Sequence, residues 1–399
     1  MKKMKKMKRN NFFLRNVLVM GVLFSTIIIS NAQNTAQKII GSNQGLHIGG
    51  YGQIDYNKQI NNDLNHNAKL DVHRLVTFFG YNFNERTSFI SEIEMEHVTE
   101  VYVEQAFLSH TIKNNISVNA GLMLIPMGIQ NLYHEPPTFN GVERTNVDKY
   151  IVPTTWREMG VSVNGRIMED LLSYELMLVN GFNGYDGEGV FSGSSGLRSG
   201  RQKAAKSYMT APDFASRFSY LGIPNLNLGL STYFGESEST AYDALDLSDE
   251  NALASADSTI IGINMIGIDA RYQKGALEFR GQYIIADLSN TNQYNAFTGK
   301  DLGSKMMGYY AEAGYNLLAE KETNNELIAF ARFENYNTHN EVEEGGIYIN
   351  SNYDRKDVII GLGLKLAKGA MFKLDYQIKS NGNSNPRTDH INIGTAIWF

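Results

Sequence analysis

The feature that most constrains this chain is a two-residue period. From Leu46 onward, apolar and polar residues alternate in runs of about ten, separated by turn-rich segments. That is the period of strands with one apolar face and one wet face, and helical spacing occurs nowhere at comparable length. At the C-terminus, Ile391, Ile393, Thr395, Ile397 and Phe399 share one face while His390, Asn392, Gly394, Ala396 and Trp398 share the other. Phe372, Leu374, Tyr376 and Ile378 divide in the same way from Lys373, Asp375, Gln377 and Lys379. Sixteen such runs are predicted: 46–56, 70–81, 87–97, 100–112, 116–124, 158–167, 172–180, 213–221, 226–234, 260–273, 276–287, 305–317, 326–336, 357–366, 370–380 and 389–399. Arg74 disturbs the second run, and Asp269 with Arg271 the tenth; a bulge in either strand would repair the alternation.

Connections between the runs alternate between longer loops and tight turns, with only the second long-side loop short. An even number of strands in this arrangement, with both chain ends on the short-turn side, is the pattern of an outer-membrane barrel. Proline supplies an independent check, because it cannot donate to a sheet ladder. All seven prolines (126, 136, 137, 153, 212, 224 and 386) fall in proposed connections. A soluble sandwich or propeller shares the alternation. Aromatics near strand ends (Tyr51, Tyr56, Tyr81, Phe83, Tyr174, Tyr315, Tyr336, Trp398 and Phe399) favour a membrane barrel with interfacial girdles. The expected fold is therefore all-β: a 16-stranded antiparallel transmembrane β-barrel.

Composition agrees once the period is known. A barrel needs only every second wall residue to be apolar, so 42% hydrophobic residues is enough, and no apolar run of helical-span length follows residue 30. Residues 1–32 read as a signal peptide: a basic head, an apolar stretch from Val17 to Ile29, and small residues before Gln33. Residues 33–45 would be a short periplasmic segment and 46–399 the barrel. Removing the seven basic residues of 1–32 takes the net charge from -6 to -13. Such acidity argues against nucleic-acid binding, which needs a basic footprint. Absence of cysteine in an exported chain means that no disulfide supports the fold.

A barrel of sixteen strands is wide enough for an aqueous channel, so what narrows it matters. Residues 125–157 form the longest and least β-like connection, stiffened by Pro126, Pro136, Pro137 and Pro153, and are the candidate constriction loop, folded inward. Gly121, Pro126 and Gly128 in AGLMLIPMG, the segment from His134 to Val163, Val179-Asn180-Gly181, and Arg217 after a long loop resemble the phosphate-selective porin O and P family of Gram-negative outer membranes. The resemblance implies a passive diffusion pore for small hydrophilic solutes or ions, anions such as phosphate among them. It also implies a typically trimeric assembly, hence a homotrimer, in outer-membrane lipid and lipopolysaccharide. Carried onto this chain, it makes Pro126 and Gly128 the bend into the loop. Arg144, Lys149 and Arg157 become its cations, and Glu135, Glu143, Asp148 and Glu158 their counter-charges.

Alternation places Arg74, Arg166, Arg217, Arg280, Arg332, Lys365, Lys373 and Lys379 on the inner wall as pore-lining bases. Glu92, Glu94, Glu96, Glu104, Glu175, Glu278, Glu312, Glu334 and Asp375 are the acids of the same surface. This is not a continuous basic ladder, and the plain reading of each charge is a cross-strand ion pair. Selectivity follows the narrowest ring rather than total charge.

No catalytic group, cofactor or metal site is expected, because the eight histidines lack ligand spacing and no nucleotide or nucleophile motif occurs. His134-Glu135 precedes two prolines and reads as a loop hydrogen bond. The acidic stretch 243–257 reads as a solvated loop, with divalent cations shared with lipopolysaccharide as the alternative, and Gly181 to Gly200 as a mobile surface loop. A non-conducting surface barrel, acting in adhesion or as a structural outer-membrane protein, is the main alternative to a porin; a lipid-acting hydrolase is a third.

Overall fold

The structure is a computed structural model that describes residues 45–60, 65–113, 115–383 and 387–399. The expected leader, nearly all of the segment that follows it, and Pro386 lie outside the described residues.

Sixteen strands close into one antiparallel barrel: β1 (Gly45–Gln59), β2 (Lys69–Asn84), β3 (Thr87–Glu96), β4 (Glu100–Lys113), β5 (Ile116–Leu124), β6 (Arg157–Ile167), β7 (Leu172–Val179), β8 (Asp213–Ile223), β9 (Leu226–Glu236), β10 (Gly262–Lys274), β11 (Leu277–Ser289), β12 (Lys305–Asn316), β13 (Glu326–Glu341), β14 (Asp354–Ala367), β15 (Ala370–Asn381) and β16 (Thr388–Trp398). Each strand pairs with its chain neighbours, and β1 closes the ring on β16 from Tyr51 opposite Trp398 to Gln59 opposite His390. Closure removes both sheet edges, whose open N–H and C=O groups would each cost several kcal/mol in hydrocarbon. Every expected run is present as a strand; the largest boundary difference is at β13, which continues to Glu341.

Exposed apolar side chains make up the outer surface, among them Leu108, Val161, Leu178, Phe234, Ile266, Ile360 and Phe372. Alternate residues between them are buried. Tyr81, Phe83, Tyr315 and Phe399 are exposed near strand ends, as a girdle requires, but Tyr51 and Tyr336 are not. Both are buried: the Tyr51 hydroxyl bonds Glu104 and the Tyr336 ring stacks on Tyr150. A strand-end position does not by itself tell which face a ring occupies.

The interruption at Arg74 is a bulge. Gln53 faces Arg74 but Asp55 faces Asp71, so β2 carries an extra residue there. A second bulge lies in β4, where Glu92 faces Gln105 and Ile93 faces Val103; consecutive Glu104 and Gln105 are consequently both buried. In β10 the register is unbroken along its full length. Its alternation looked disturbed because Ile263 and Met265 share the buried face with Asp269. The inner face is thus not uniformly polar.

The long connections carry short elements: α1 (Val147–Tyr150), α2 (Glu250–Asp257), capped by Asp249, and α3 (Thr291–Thr298). Residues 183–185 pair in parallel with 238–239. Contrary to the surface-loop expectation for 181–200, Phe182, Phe191 and Leu197 are fully buried. Their apolar area outweighs the Gly/Ser content that suggested a solvated loop.

Candidate functional site

Residues 125–156, between β5 and β6, are mostly buried, although many of them are polar. Two glycines set their course. Gly121 has φ +137, and a Cβ there would lie 2.3 Å from the Ala106 carbonyl oxygen. Gly128 has φ +70, and its Cβ would meet Asp148 Oδ1 and Gln282 Oε1, each at 2.9 Å. Only glycine fits both demands.

Beyond the bend, backbone groups that lack a sheet partner find wall side chains instead. The Ile129 N–H donates to Gln282 Oε1 at 2.7 Å, Val142 N–H to Asp375 Oδ2 at 2.6 Å, and Asn146 N–H to Glu334 Oε2 at 2.6 Å. In the other direction, Lys373 Nζ donates to the carbonyls of Pro136, Phe139 and Gly141 at 2.6, 2.6 and 2.9 Å, and Arg280 to that of Thr138 at 2.7 Å. These partners stand on β1, β11, β13 and β15, and the Gln53 amide of β1 completes the set on Val142 O at 3.0 Å. Apolar contacts finish the attachment. Trp156 stacks on Phe182 at 4.5 Å and packs on Tyr233 at 4.6 Å, within one buried cluster that includes Met177, Met265 and Ile284.

Several wall charges are ion-paired. Arg217 on β8 holds Asp269 on β10 through two bonds of 2.8 Å. Arg332 bridges Glu312 at 3.3 Å and Glu334 at 2.8 Å, Arg280 reaches Glu312 at 3.2 Å and Glu278 at 3.6 Å, and Arg74 reaches Glu94 at 3.4 Å. Arg166 on β6 is half-buried. Asp148 in α1 is pushed up to about 6 by burial, against hydrogen bonds from Thr145 and Gln282.

A cavity of about 540 Å³ opens at the long-loop end, where β1, β2, β15 and β16 meet the 125–156 segment. Arg74, Arg144, Lys149, Arg198, Lys69 and Lys379 line it together with His66, His73 and His390, and Glu143 is the one carboxylate among the described lining residues. Burial and the charge of Arg74 draw Arg144 down to about 10.

Of the loop cations expected from the sequence, Arg144 and Lys149 line this cavity, whereas Arg157 lies buried at the start of β6 with its guanidinium on Thr155. Pro126 and Gly128 are buried at the bend; His134 and Glu135 are buried further along the segment. Among wall bases only Arg74 and Lys379 reach the cavity, because Arg217, Arg280, Arg332 and Lys373 are engaged by carboxylates or loop carbonyls. Glu92, Glu94 and Glu104 form a separate buried group near His134. Sequence reasoning missed His73, which sits at the β2 bulge, and Arg198, which lies in the segment taken for a surface loop. Breaks in alternation mark the first; the apolar Phe182, Phe191 and Leu197 around the second were the available signal.

These features define a porin-type outer-membrane barrel. The fold is similar to the outer membrane channel DcaP of Acinetobacter baumannii, with a TM-score of 0.57 at 11% identity over 90% of this chain and 100% of that one. It is also similar to an anion-selective porin from Comamonas acidovorans, with a TM-score of 0.52 at 11% identity over 89% and 99%. The trimer form of Vibrio cholerae OmpT gives a TM-score of 0.50 at 10% identity over 89% and 99%. In sequence, the chain is 32% identical over 319 residues to an uncharacterized protein of Aquifex aeolicus (strain VF5), covering 78% of this chain and 70% of that protein, and it belongs to the same family as that protein. No protein-family model matches the chain, the phosphate-selective porin O and P family included.

Proposed function

We propose that this protein is an outer-membrane porin in which residues 125–156 fold into the barrel and narrow it, leaving a cationic passage that favours small anions. The observation that carries the reading is the cavity at the long-loop end, where the described lining residues are six Lys and Arg side chains against the carboxylate of Glu143. Field at the narrowest polar ring, not the net charge of the chain, sets preference. Glu278, Glu312, Glu334 and Asp269 are held by Arg217, Arg280 and Arg332, none of which lines that cavity. Phosphate is one anion of suitable charge, and a homotrimer is the assembly suggested by the OmpT trimer form.

Neutralising Arg144 and Lys149 together tests the preference. In planar bilayers across a salt gradient, the reversal potential should move toward cation selectivity; an unchanged potential would remove this cavity from the conduction path.

One observation favours a second reading. The apolar cluster around Trp156, Met265 and Ile284 fills space that a wide pore would leave to water, as suits a non-conducting surface barrel with an adhesive or structural role. Absence of discrete conductance from pure, folded protein would favour it.

A further inference from the structure

His134 belongs to a grouping that the transport reading leaves unused. Its ring sits where the 125–156 segment meets β3 and β4, and Glu92, Glu104 and His134 each offer one ligand atom, all within 4.8 Å of one another. All three side chains are almost completely buried. Two ligands of a tetrahedral ion with bonds of about 2.1 Å stand about 3.4 Å apart. The distance between His134 Nε2 and Glu104 Oε1 is 3.4 Å.

The surrounding hydrogen bonds orient these atoms. His134 Nδ1 faces the Asn131 carbonyl at 3.2 Å, a partner that fixes a proton on Nδ1 and turns Nε2 toward the carboxylates, where a metal would take the place of an Nε2 proton. The Tyr51 hydroxyl lies 3.0 Å from that Nε2 and donates to Glu104 Oε2 at 2.9 Å, and Gln105 donates to Glu92 Oε2 at 2.9 Å. Each carboxylate is thus held through one oxygen. The β4 bulge is what turns Glu104 inward beside Gln105.

A second, independent observation is unanswered charge. Among the described residues neither carboxylate oxygen of Glu135, a residue only 1% exposed and adjacent to His134, has a hydrogen-bond partner, and Glu104 Oε1 has only the His134 Nε2 contact at 3.4 Å. Arg74 is committed to Glu94 at 3.4 Å and Glu96 at 3.7 Å. Arg144 donates to the His134 carbonyl at 2.8 Å rather than to a carboxylate. Buried carboxylates in such excess are costly unless a cation is shared among them.

We propose that Glu92, Glu104 and His134 bind a divalent first-row transition ion such as Zn2+, clamping the 125–156 segment to β3 and β4. One imidazole and two carboxylates suit Zn2+ and its neighbours, and a fourth position remains for water or for Glu135. The site stands apart from the transport reading, because its occupancy is measured without any conductance.

The test uses the full mature chain, stripped with chelator, refolded in detergent with Zn2+ present, dialysed, and assayed for metal by mass spectrometry and for affinity by calorimetry. One Zn2+ per chain is expected, with affinity reduced at least tenfold in Glu104→Gln and in Glu92→Gln. Asp55→Asn, in the other carboxylate and imidazole grouping of Asp55, His73 and Glu143, should leave binding unchanged. Chelator-stripped protein that retains no Zn2+ would overturn the proposal, and so would undiminished binding in both Glu variants or loss of binding in Asp55→Asn. The first readout uses the unaltered chain, so a variant that fails to fold does not shield the proposal.

Discussion

At the scale of single residues, the bend at Gly128 combines a left-handed backbone with close neighbours. Gly128→Ala should destabilise the 125–156 segment by about 1–2 kcal/mol, read as faster amide hydrogen exchange there with the strands unchanged. Asp148 gives a pH dependence of definite sign. Its folded value of about 6 lies above the ordinary 3.8, so its contribution is full at low pH and is lost as pH rises through about 6. A difference of about two units corresponds to about 3 kcal/mol. Exchange protection of residues 145–154 should therefore fall between pH 4 and pH 7, and Asp148→Asn should flatten that fall. Glycine and proline positions at the bend were legible in the sequence because backbone constraints are local. The partners of Asp148 were not, since Gln282 is distant in the chain and only the closed barrel brings it near.

At the scale of elements, strands were readable wherever one side faces lipid, because the period of two then survives any detail of packing. Legibility failed at two kinds of place. The β2 bulge, anticipated from Arg74, shifts the period by one residue and brings in His73; the β4 bulge, not anticipated, buries Gln105 beside Glu104, which alternation had already placed on the inner wall. The other failure is where apolar residues occupy the inner face, as with Ile263 and Met265, and where a Gly/Ser-rich connection hides Phe182, Phe191 and Leu197. The segment between β5 and β6 depends on Lys373, whose ammonium joins three of its carbonyls to β15. Lys373→Met should strip those bonds and remove the ammonium that stands near Asp55 and Asp375, costing about 3–5 kcal/mol. Limited proteolysis should then cut within 136–142, a stretch the unaltered protein protects.

At the scale of the whole molecule, two sets of charges do different work. Arg217, Arg280 and Arg332 with their carboxylates tie strands together, and Arg74, itself paired with Glu94, lines the cavity with Arg144, Lys149, Arg198, Lys69 and Lys379. Opening the Arg217–Asp269 pair by Asp269→Asn should lower the barrel's melting temperature in detergent while leaving ion preference unaltered, since that pair is not among the cavity's lining residues. The acidic total of the chain was visible in its composition, but the sign of the cavity was not, because lining residues come from β1, β2, β15, β16 and three separate connections. A barrel that conducts through a cationic constriction should show, in single-channel recording of the purified protein across a KCl gradient, discrete openings with a reversal potential displaced toward that of chloride. A silent bilayer, or openings with a potassium-selective reversal potential, would rule it out.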